Sequence, residues 1–464
     1  MKSTRRGLAP RLALALCLLA AFAPEPRAQE SVALPPVRLV AALEGYEGPS
    51  LFAGRPALAA FSPDGRLLAL SGENRTVRLY EAATGRLLLT LAAEKKGEGF
   101  NGFAFLPDSR AGATRNFLDR SVTVWDLTTG KALSKFAGRE RDLETKLKAT
   151  SVPSQDFVVV PFSPDGRTLL TEREDDVLVA WDAASGKELL TFEHVTETNM
   201  AKDALAMLFG MPLPLLMSAA YSPDGSRVVT ANGDKTPKLF DAATGRLVAA
   251  LVGGGGRVYA AAFLPAAGAV LTADFFSEVD LWDASTGAHR ARLARKRGKR
   301  NFVLTFGGDG GPVAFSRDGR LVAAHVEDER KDEFKIWDAA DGRVLATVSK
   351  NKSRLFAFSP DGRTLASAGG DKTATAQFFD ASTGQLKLSL AKTEERARAL
   401  LFSPDGRHLV TTNDKGVWLW DASNGSLVTK LDRSRAPARF SPDSRLLVTG
   451  GTDKTAYLYE LLLK

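Results

Sequence analysis

Apolar and polar residues alternate along most of the chain, and apolar residues seldom recur at every third or fourth position. The stretch FSPDGRTLLTEREDDVLVAWDAASGKELLTF, residues 162–192, is representative. Its apolar runs, such as TLLT and VLVAW, are short and contain β-branched and aromatic side chains. That pattern is typical of β-strands, and the runs are too short for ordinary helices. The stretch therefore predicts an all-β arrangement.

Two turn signatures divide this stretch into strands. Ser163-Pro164-Asp165-Gly166 suits a hairpin turn, because proline presets φ and glycine accepts a positive φ at the last position. The segment from Asp182 to Gly186 also ends in glycine and predicts a second hairpin turn. The unit is therefore a four-stranded antiparallel meander, whose strands we name A to D in chain order.

The same unit recurs nine times along the chain. The A–B turn recurs at Pro63, Pro107, Pro164, Pro223, Pro265, Arg317, Pro360, Pro404 and Pro442. An aromatic residue followed by an acid ends strand C at Tyr80-Glu81, Trp125-Asp126, Trp181-Asp182, Phe240-Asp241, Trp282-Asp283, Trp337-Asp338, Phe379-Asp380, Trp420-Asp421 and Tyr459-Glu460. Every unit except the last also carries the glycine of the C–D turn.

A repeat of about 40 to 45 residues with four short strands and a Trp-Asp pair resembles the WD40 family, whose fold is a β-propeller. The resemblance covers the chain after residue 30 and implies a single closed propeller that binds other proteins. The Gly-His pair that the family places ahead of strand A is absent, and His194, His289, His325 and His408 do not recur in phase. We therefore expect the buried Asp-His-Ser/Thr-Trp network of the family to be incomplete.

The two ends of the chain predict how the ring closes. The last unit stops after its third strand, and RLVAAL at 38–43 is identical to 246–251, which is strand D of the fourth unit. Residues 37–43 are therefore expected to pair beside the C-terminal strand as the missing outer strand, because a closed ring leaves no free sheet edge. Nine blades follow. Eight remain an alternative, in which the second or the fifth unit degenerates.

Residues 1–28 are interpreted as a secretory signal peptide, and 29–464 as the propeller. Basic residues precede the apolar stretch LALALCLLAAFA, which is short for a membrane span, and a cleavage position follows at Ala28. A short membrane anchor is the alternative. The only cysteine, Cys17, lies in this leader, so thiol chemistry is not expected in the mature chain. Abundant alanine, leucine, arginine and glycine favour a bacterial protein, periplasmic or secreted.

Charge and length exclude some partners. About half of the formal net charge of +8 belongs to the leader, so the mature chain is only mildly basic and we expect no nucleic-acid partner. No other apolar stretch is long enough to predict a membrane span. The oligomeric state is not predicted. Three Asn-X-Ser/Thr sequons, at Asn74, Asn351 and Asn424, are of a kind that arises by chance.

Insertions predict which end of the propeller binds a partner. The A–B and C–D turns fall at one end of each blade, and the B–C and D–A connections fall at the other. Residues 139–155, 195–217 and 295–311 enlarge D–A connections, and 326–334 enlarges a B–C loop. Long loops in a repeat protein often mark its binding face. Surface loops also tolerate drift, so unselected spacers are the alternative.

Two of these loops hold the candidate binding residues. Residues 204–217, ALAMLFGMPLPLLM, present Met207, Phe209 and Met211, and methionine adapts to irregular apolar surfaces. Burial of this loop against its own blades is the alternative. The run RKRGKR presents the cations Arg295, Lys296, Arg297, Lys299 and Arg300, which would attract an acidic partner, an anionic lipid headgroup or a polyanion. A solvated loop, or pairing with the acidic 327–333 segment, is the alternative.

The sequence predicts no enzyme, cofactor or metal site. It contains no Gly-x-Ser-x-Gly or His-Glu-x-x-His motif, and the Gly253–Gly256 run lies between strands, where no helix follows to bind phosphate. The recurring Asp-Lys-Thr at Asp234, Asp371 and Asp453 is interpreted as B–C turn chemistry. The resemblance thus favours a non-enzymatic scaffold. A propeller-type hydrolase or ligand-binding protein with carboxylates at the channel mouth is the alternative.

Overall fold

The structure, a computed structural model, describes most of the repeat region and forms one compact unit over Pro36–Lys464. The described residues are 36–46, 59–72, 76–93, 99–116, 121–136, 162–172, 177–192, 216–232, 236–254, 258–274, 278–294, 313–328, 331–349, 351–369, 375–393, 395–451 and 453–462. The predicted signal peptide lies outside this part of the chain.

Strands A and B form the inner half of each blade. The A strands are β2 (Ala59–Phe61), β6 (Phe100–Phe105), β13 (Leu216–Tyr221), β17 (Val258–Leu264), β21 (Val313–Phe315), β25 (Leu355–Phe358), β29 (Ala399–Phe402) and β33 (Ser434–Phe440). In the third blade, strand A is described only by the bridge from Phe162 to Leu169. The B strands are β3 (Leu67–Gly72), β7 (Ala111–Asn116), β10 (Thr168–Glu172), β14 (Arg227–Asn232), β18 (Ala269–Asp274), β22 (Leu321–Asp328), β26 (Thr364–Ala368), β30 (His408–Asn413) and β34 (Leu446–Gly451).

Strands C and D form the outer half. The C strands are β4 (Thr76–Glu81), β8 (Val122–Asp126), β11 (Leu178–Asp182), β15 (Lys238–Asp241), β19 (Val279–Asp283), β23 (Lys331–Asp338), β27 (Ala376–Asp380), β31 (Gly416–Asp421) and β35 (Thr455–Leu461). The D strands are β5 (Leu87–Leu91), β9 (Ala132–Phe136), β12 (Glu188–Phe192), β16 (Leu247–Ala250), β20 (His289–Ala294), β24 (Val344–Ser349), β28 (Leu386–Ser389), β32 (Leu427–Leu431) and, for the ninth blade, β1 (Val37–Glu44).

The ring closes as the sequence predicts. β1 pairs antiparallel with β35, from Val37 opposite Leu461 to Glu44 opposite Thr455, and completes the sheet β1-β35-β34-β33. The prediction of nine blades is confirmed, and the eight-bladed alternative is wrong. The second and fifth units, named above as the weakest, form complete four-stranded sheets. The fifth differs only at its A–B turn, which is a 3₁₀ turn over Pro265–Ala267.

Nine apolar clusters hold the ring together, one at each interface between neighbouring blades. In each cluster, the apolar residue near the end of strand D packs with the strand C aromatic of the next blade, as Leu251 does with Trp282 and Leu293 with Trp337. Phe136 and Trp181 meet in the same way, with ring centroids 5.5 Å apart. At the closure, Leu43 lies in one cluster with Tyr80 and Leu458. The core is therefore a circle of interfaces rather than one central layer.

The family's buried hydrogen-bond network is present only in part. The indole N–H groups of Trp125, Trp181, Trp282 and Trp420 donate to a threonine hydroxyl of strand B at 2.7 to 3.0 Å. His289 does not extend these pairs inward, since it contacts Asp280 of strand C instead. Packing between blades therefore carries much of the stability.

One loop predicted from the sequence is not a loop. Residues 326–334 were expected to enlarge a B–C connection, but they lengthen β22 and β23, with Val326 opposite Glu333 and Asp328 opposite Lys331. Pairing satisfies the backbone N–H and C=O groups of the insertion, which an irregular loop would leave to water. This prediction is wrong, and the insertion is a longer hairpin.

Candidate interaction face

The A–B and C–D turns form one end of the propeller, which we call the turn end. In seven blades the A–B serine donates to the aspartate two residues later, for example from Ser163 to Asp165 at 2.5 Å. The same hydroxyl accepts from a backbone amide, as it does from Thr168 at 2.9 Å. Each turn therefore satisfies its own polar groups.

The acid after the strand C aromatic also forms hydrogen bonds within its own turn. Asp182 accepts from the hydroxyl and the amide of Ser185, both at 2.7 Å. These hydrogen bonds hold the pKa of Asp182 below its usual range. The Trp-Asp acid thus shapes the C–D turn, and its carboxylate is occupied by its own blade.

Neighbouring blades also meet through the turn end. Gly166 has a φ of 71° and its Cα hydrogen faces Pro107 of the preceding blade, where an added Cβ would lie 3.0 Å from the proline Cδ. The ninth and first blades meet similarly at Pro442 and Gly65. This end is therefore repetitive, and its A–B turns contact the neighbouring blades.

The B–C and D–A connections form the opposite end, which we call the loop end. Here the residue two places before the strand C aromatic lies opposite a strand D residue, and the pair differs from blade to blade. It is Asp280 with Arg292 in the fifth blade, Gln377 with Ser389 in the seventh and Trp418 with Lys430 in the eighth. Each groove between blades therefore has its own chemistry at this end.

Several of these side chains bind the preceding blade. Arg78 donates to the carbonyl of Glu44 at 2.7 Å, and Arg292 donates to the carbonyl of Gly253 at 2.7 Å. Asn351 donates its amide to Gln377 at 3.0 Å and is buried, so this sequon asparagine serves the fold. The sequence reading missed these contacts between blades. Aligning the repeats at the position two residues before the strand C aromatic would have shown that the residue type there changes from blade to blade.

Three carboxylates surround Arg292 in the fifth blade. Asp280 contacts the guanidinium at 2.9 Å and Glu278 at 3.4 Å, while Asp274 lies close enough to help raise the pKa of Arg292 after the larger effect of Asp280. His289 also contacts Asp280, at 2.9 Å. These carboxylates therefore neutralise a cation that holds the Gly253 segment. Within the described residues, no group of three or more histidine, cysteine, aspartate or glutamate side chains could hold a metal ion.

A cavity of about 170 Å³ lies in the groove of the second blade. Trp125, Phe100 and Thr123 line it together with Lys135, and two alanines of the preceding connection cover one side. Cavities that enclose drug-sized ligands have roughly 300 to 1,000 Å³. This cavity therefore fits only a small group.

The candidate binding residues from the sequence lie outside the described residues. They are Met207, Phe209, Met211, Arg295, Lys296, Arg297, Lys299 and Arg300. The described strands on either side of them in the chain are β12 and β13 for the first group, and β20 and β21 for the second. Of the three Asp-Lys-Thr copies, only Asp453 is described, and it lies in the turn between β34 and β35 as interpreted. Across the described residues, no helix is long and apolar enough to cross a membrane.

Nine blades with an aromatic-acid pair closing strand C define a WD40-repeat β-propeller. The family model described as WD domain, G-beta repeat matches residues 57–81 and 424–460. A second model, described as outer membrane protein assembly factor BamB, matches residues 118–431, which is more than half of the chain. The chain therefore belongs to the family that this second model describes.

Individual relatives share the repeat over part of their own length. Nuclear distribution protein PAC1 of Coccidioides posadasii (strain C735) is 32% identical over 199 residues, which are 39% of this chain and 38% of that protein. Telomerase protein component 1 of Mus musculus is 24% identical over 459 residues, which are 90% of this chain and 16% of that protein. The chain thus spans well under two thirds of these relatives. Both are eukaryotic and do not support a bacterial secreted type.

Solved structures share the fold. The C-terminal WD40 domain of Sif2 aligns with a TM-score of 0.53 at 13% identity, over 92% of this chain and 98% of that chain. The computationally designed Ika8 protein aligns with a TM-score of 0.50 at 20% identity, over 80% and 98%. At these identities the likeness concerns the propeller architecture.

Proposed function

We propose that this propeller is a non-enzymatic scaffold that binds a protein partner through its loop end, in the periplasm or outside the cell. The rigid ring presents connections of different length and charge on one face. It performs no chemistry of its own, and the longest connections, including Met200–Met217 and Arg295–Arg300, make the main contacts.

The contrast between the two ends carries this proposal. At the turn end, the serine and aspartate side chains repeat from blade to blade and bond within their own turns. At the loop end, the corresponding groove positions hold Asp280, Gln377 and Trp418 in different blades. A surface that recognises one partner needs different chemistry at different places, and the loop end supplies it.

The proposed location rests on the leader and on the family. Residues 1–28 have the charge and apolar pattern of a signal peptide. The name of the matching family refers to assembly at the outer membrane, which supports an envelope location for this chain. N-terminal sequencing of the protein purified from its native cells is the direct test. A mature chain that begins at Gln29 is expected, and one that begins at Met1 would contradict the proposal.

Deletion of residues 200–215 tests the interaction, and it keeps Leu216 and Met217 because they belong to β13. The shortened and full-length proteins are used to capture partners from the envelope fraction, and the thermal transition of each is measured. We expect the captured proteins to disappear and the transition to stay in place. The matched control carries Arg66→Glu, Arg167→Glu and Arg320→Glu at the turn end and should capture the same proteins.

Two results would count against this loop. Unchanged capture by the deletion variant would remove residues 200–215 from the interface. A large fall in the transition temperature would show that the loop is buried in the fold, as in the alternative interpretation. Loss of capture by the turn-end control would show that the partner binds the turn end and not the loop end.

A further inference from the structure

The loop end of the seventh, eighth and ninth blades is strongly basic. Its connections lie at 351–354, 391–398, 413–416, 430–435 and 453–455, in three consecutive blades. Among the described residues of these connections, the cations are Lys352, Arg354, Lys392, Arg396, Arg398, Lys415, Lys430, Arg433, Arg435 and Lys454. The carboxylates are Glu395, Asp414, Asp432 and Asp453, and the sequence adds Glu394, which lies outside the described residues. Cations therefore outnumber carboxylates by two to one. We call this surface the basic sector.

The excess is local rather than a property of the whole protein. The complete chain carries a formal net charge of +8 on 464 residues, and about half of that lies in the leader. The basic sector alone therefore holds more net positive charge than the remainder of the mature chain taken together. Like charges grouped on one folded surface repel each other, and an anionic partner relieves that repulsion.

Most carboxylates of the sector are already engaged inside it. Asp414 pairs with Arg398, and Asp432 pairs with Lys430 at 2.9 Å. Asp453 accepts a hydrogen bond of 2.8 Å from the Tyr457 hydroxyl, which is the main reason for its lowered pKa. The positive excess of the sector remains after these acids are counted.

The cations are accessible. The Arg398 side chain is 68% exposed even though it is paired, and Lys392, Arg396, Lys415 and Arg433 are exposed. Several of them precede the inner strands β29 and β33, at the start of the central channel.

We propose that the basic sector binds an acidic segment of a partner protein, with glutamate and aspartate side chains along an extended stretch. This inference rests on the proposed function, because it assigns a partner chemistry to the loop end. Charge complementarity steers such a segment to the sector and sets its orientation there. The sector does not require residues 200–217 or 295–300.

Other polyanions fit the surface less well. Proteins that bind single-stranded nucleic acid interleave cations with exposed aromatic side chains on which bases stack. The described connections of the sector contain no aromatic residue, the neighbouring Trp418 and Tyr457 are buried, and the exposed large apolar residues in the described part of the chain are all leucine or valine. Most of those apolar residues lie at the start of strand D, at the turn end, as Leu386 and Leu427 do. A membrane surface would need them beside the cations.

The test uses the full chain and a defined probe. The probe is a fluorescein-labelled decapeptide of alternating glutamate and serine, and its binding is followed by fluorescence anisotropy at low and at physiological salt. We expect binding that weakens steeply as salt rises. The variant Lys392→Glu, Arg396→Glu, Arg433→Glu should bind roughly ten-fold more weakly, since three exposed attractions become repulsions. The control Arg66→Glu, Arg167→Glu, Arg320→Glu makes the same charge change at the turn end and should bind within about two-fold of the wild type.

Three outcomes would overturn the inference. The first is equal loss of affinity in both triple variants, which would show that only net charge matters. The second is tighter binding of a ten-nucleotide oligothymidylate than of the peptide, and the third is tighter binding of phosphatidylserine vesicles. Circular dichroism of both variants checks that the propeller is intact. Failure of the peptide to bind while deletion of 200–215 still abolishes capture would refute the basic sector alone and leave the proposed scaffold standing.

Discussion

The side-chain oxygen of Ser444 accepts a hydrogen bond of 3.0 Å from the backbone amide of Asp405, in the preceding blade. Ser109 accepts one of 3.1 Å from Asp64 in the same way. Both serines stand where most A–B turns have glycine, and their φ values are 63° and 61°. A left-handed conformation is unfavourable for serine, so each of these turns accepts backbone strain and gains a bond between blades.

Ser444→Ala is therefore expected to destabilise the propeller by about 1 kcal/mol, because it removes the bond and keeps the strain. Ser444→Gly should cost less, since glycine adopts the positive φ freely. Urea unfolding midpoints of the two variants and the wild type measure the order. A glycine variant less stable than the alanine variant would contradict this account of the turn.

The closing strand gives a second prediction, with its control in the same strand. Leu43 is 3% exposed and packs in the cluster between the ninth and first blades, whereas Leu39 is 51% exposed. Leu43→Ala should cost about 2 to 5 kcal/mol, as is usual for a buried leucine. Leu39→Ala should stay within about 0.5 kcal/mol of the wild type. Denaturant titrations followed by tryptophan fluorescence compare them, and similar losses from both would mean that β1 is not packed as described.

The closure was predictable because the N-terminal segment repeats a strand D sequence and the last blade lacks a strand D. RLVAAL occurs twice, and the last unit lacks an outer strand, so the N-terminal copy had one place to go. The strand extension at 326–334 was not predictable in the same way. Its charged residues follow no apolar alternation that fixes a register, and whether an insertion pairs or loops depends on the strands around it.

The candidate site was less predictable than the fold. Loop length pointed to the loop end as a whole, but Arg78, Arg292 and Asn351 bind neighbouring blades through single hydrogen bonds that leave no motif in the sequence. The basic sector is also spread over three repeats. Its cations become one surface only when the propeller places consecutive connections side by side, while the contiguous run at 295–300 was visible from the sequence alone.

The pair of Trp282 and Thr272 tests the partial hydrogen-bond network. The indole donates to the hydroxyl at 2.8 Å, and both side chains are buried. Trp282→Phe should cost about 1 to 3 kcal/mol beyond the loss of ring volume, because the Thr272 hydroxyl loses its donor. Adding Thr272→Val should recover part of this loss, because no polar group is then stranded.

A double-mutant cycle in urea separates the two contributions. We expect a coupling free energy of about 1 kcal/mol between the two positions. Purely additive effects would show that the hydrogen bond contributes nothing. The seventh blade indicates how a phenylalanine is tolerated, since Ser367, which lies in the place of Thr272, bonds to Ser353 at 3.1 Å instead.

The carboxylates of the A–B turns should make the folded propeller less stable in acid, and Asp224 is the clearest case. Its carboxylate accepts from the Ser222 hydroxyl and from the amide and hydroxyl of Ser226, and these bonds lower the pKa of Asp224 to about 2. A carboxyl whose folded pKa lies below its unfolded pKa stabilises the protein above the unfolded value. That stabilisation is lost as the pH falls from about 4 towards 2.

Carbon-detected NMR titration of the Asp224 carboxyl should give a midpoint near 2. Ser226→Ala removes one of the two serines that bind it and should raise the midpoint, whereas Ser423→Ala, in a distant C–D turn, should leave it in place. A wild-type midpoint at the ordinary value for aspartate would mean that these hydrogen bonds do not form in solution.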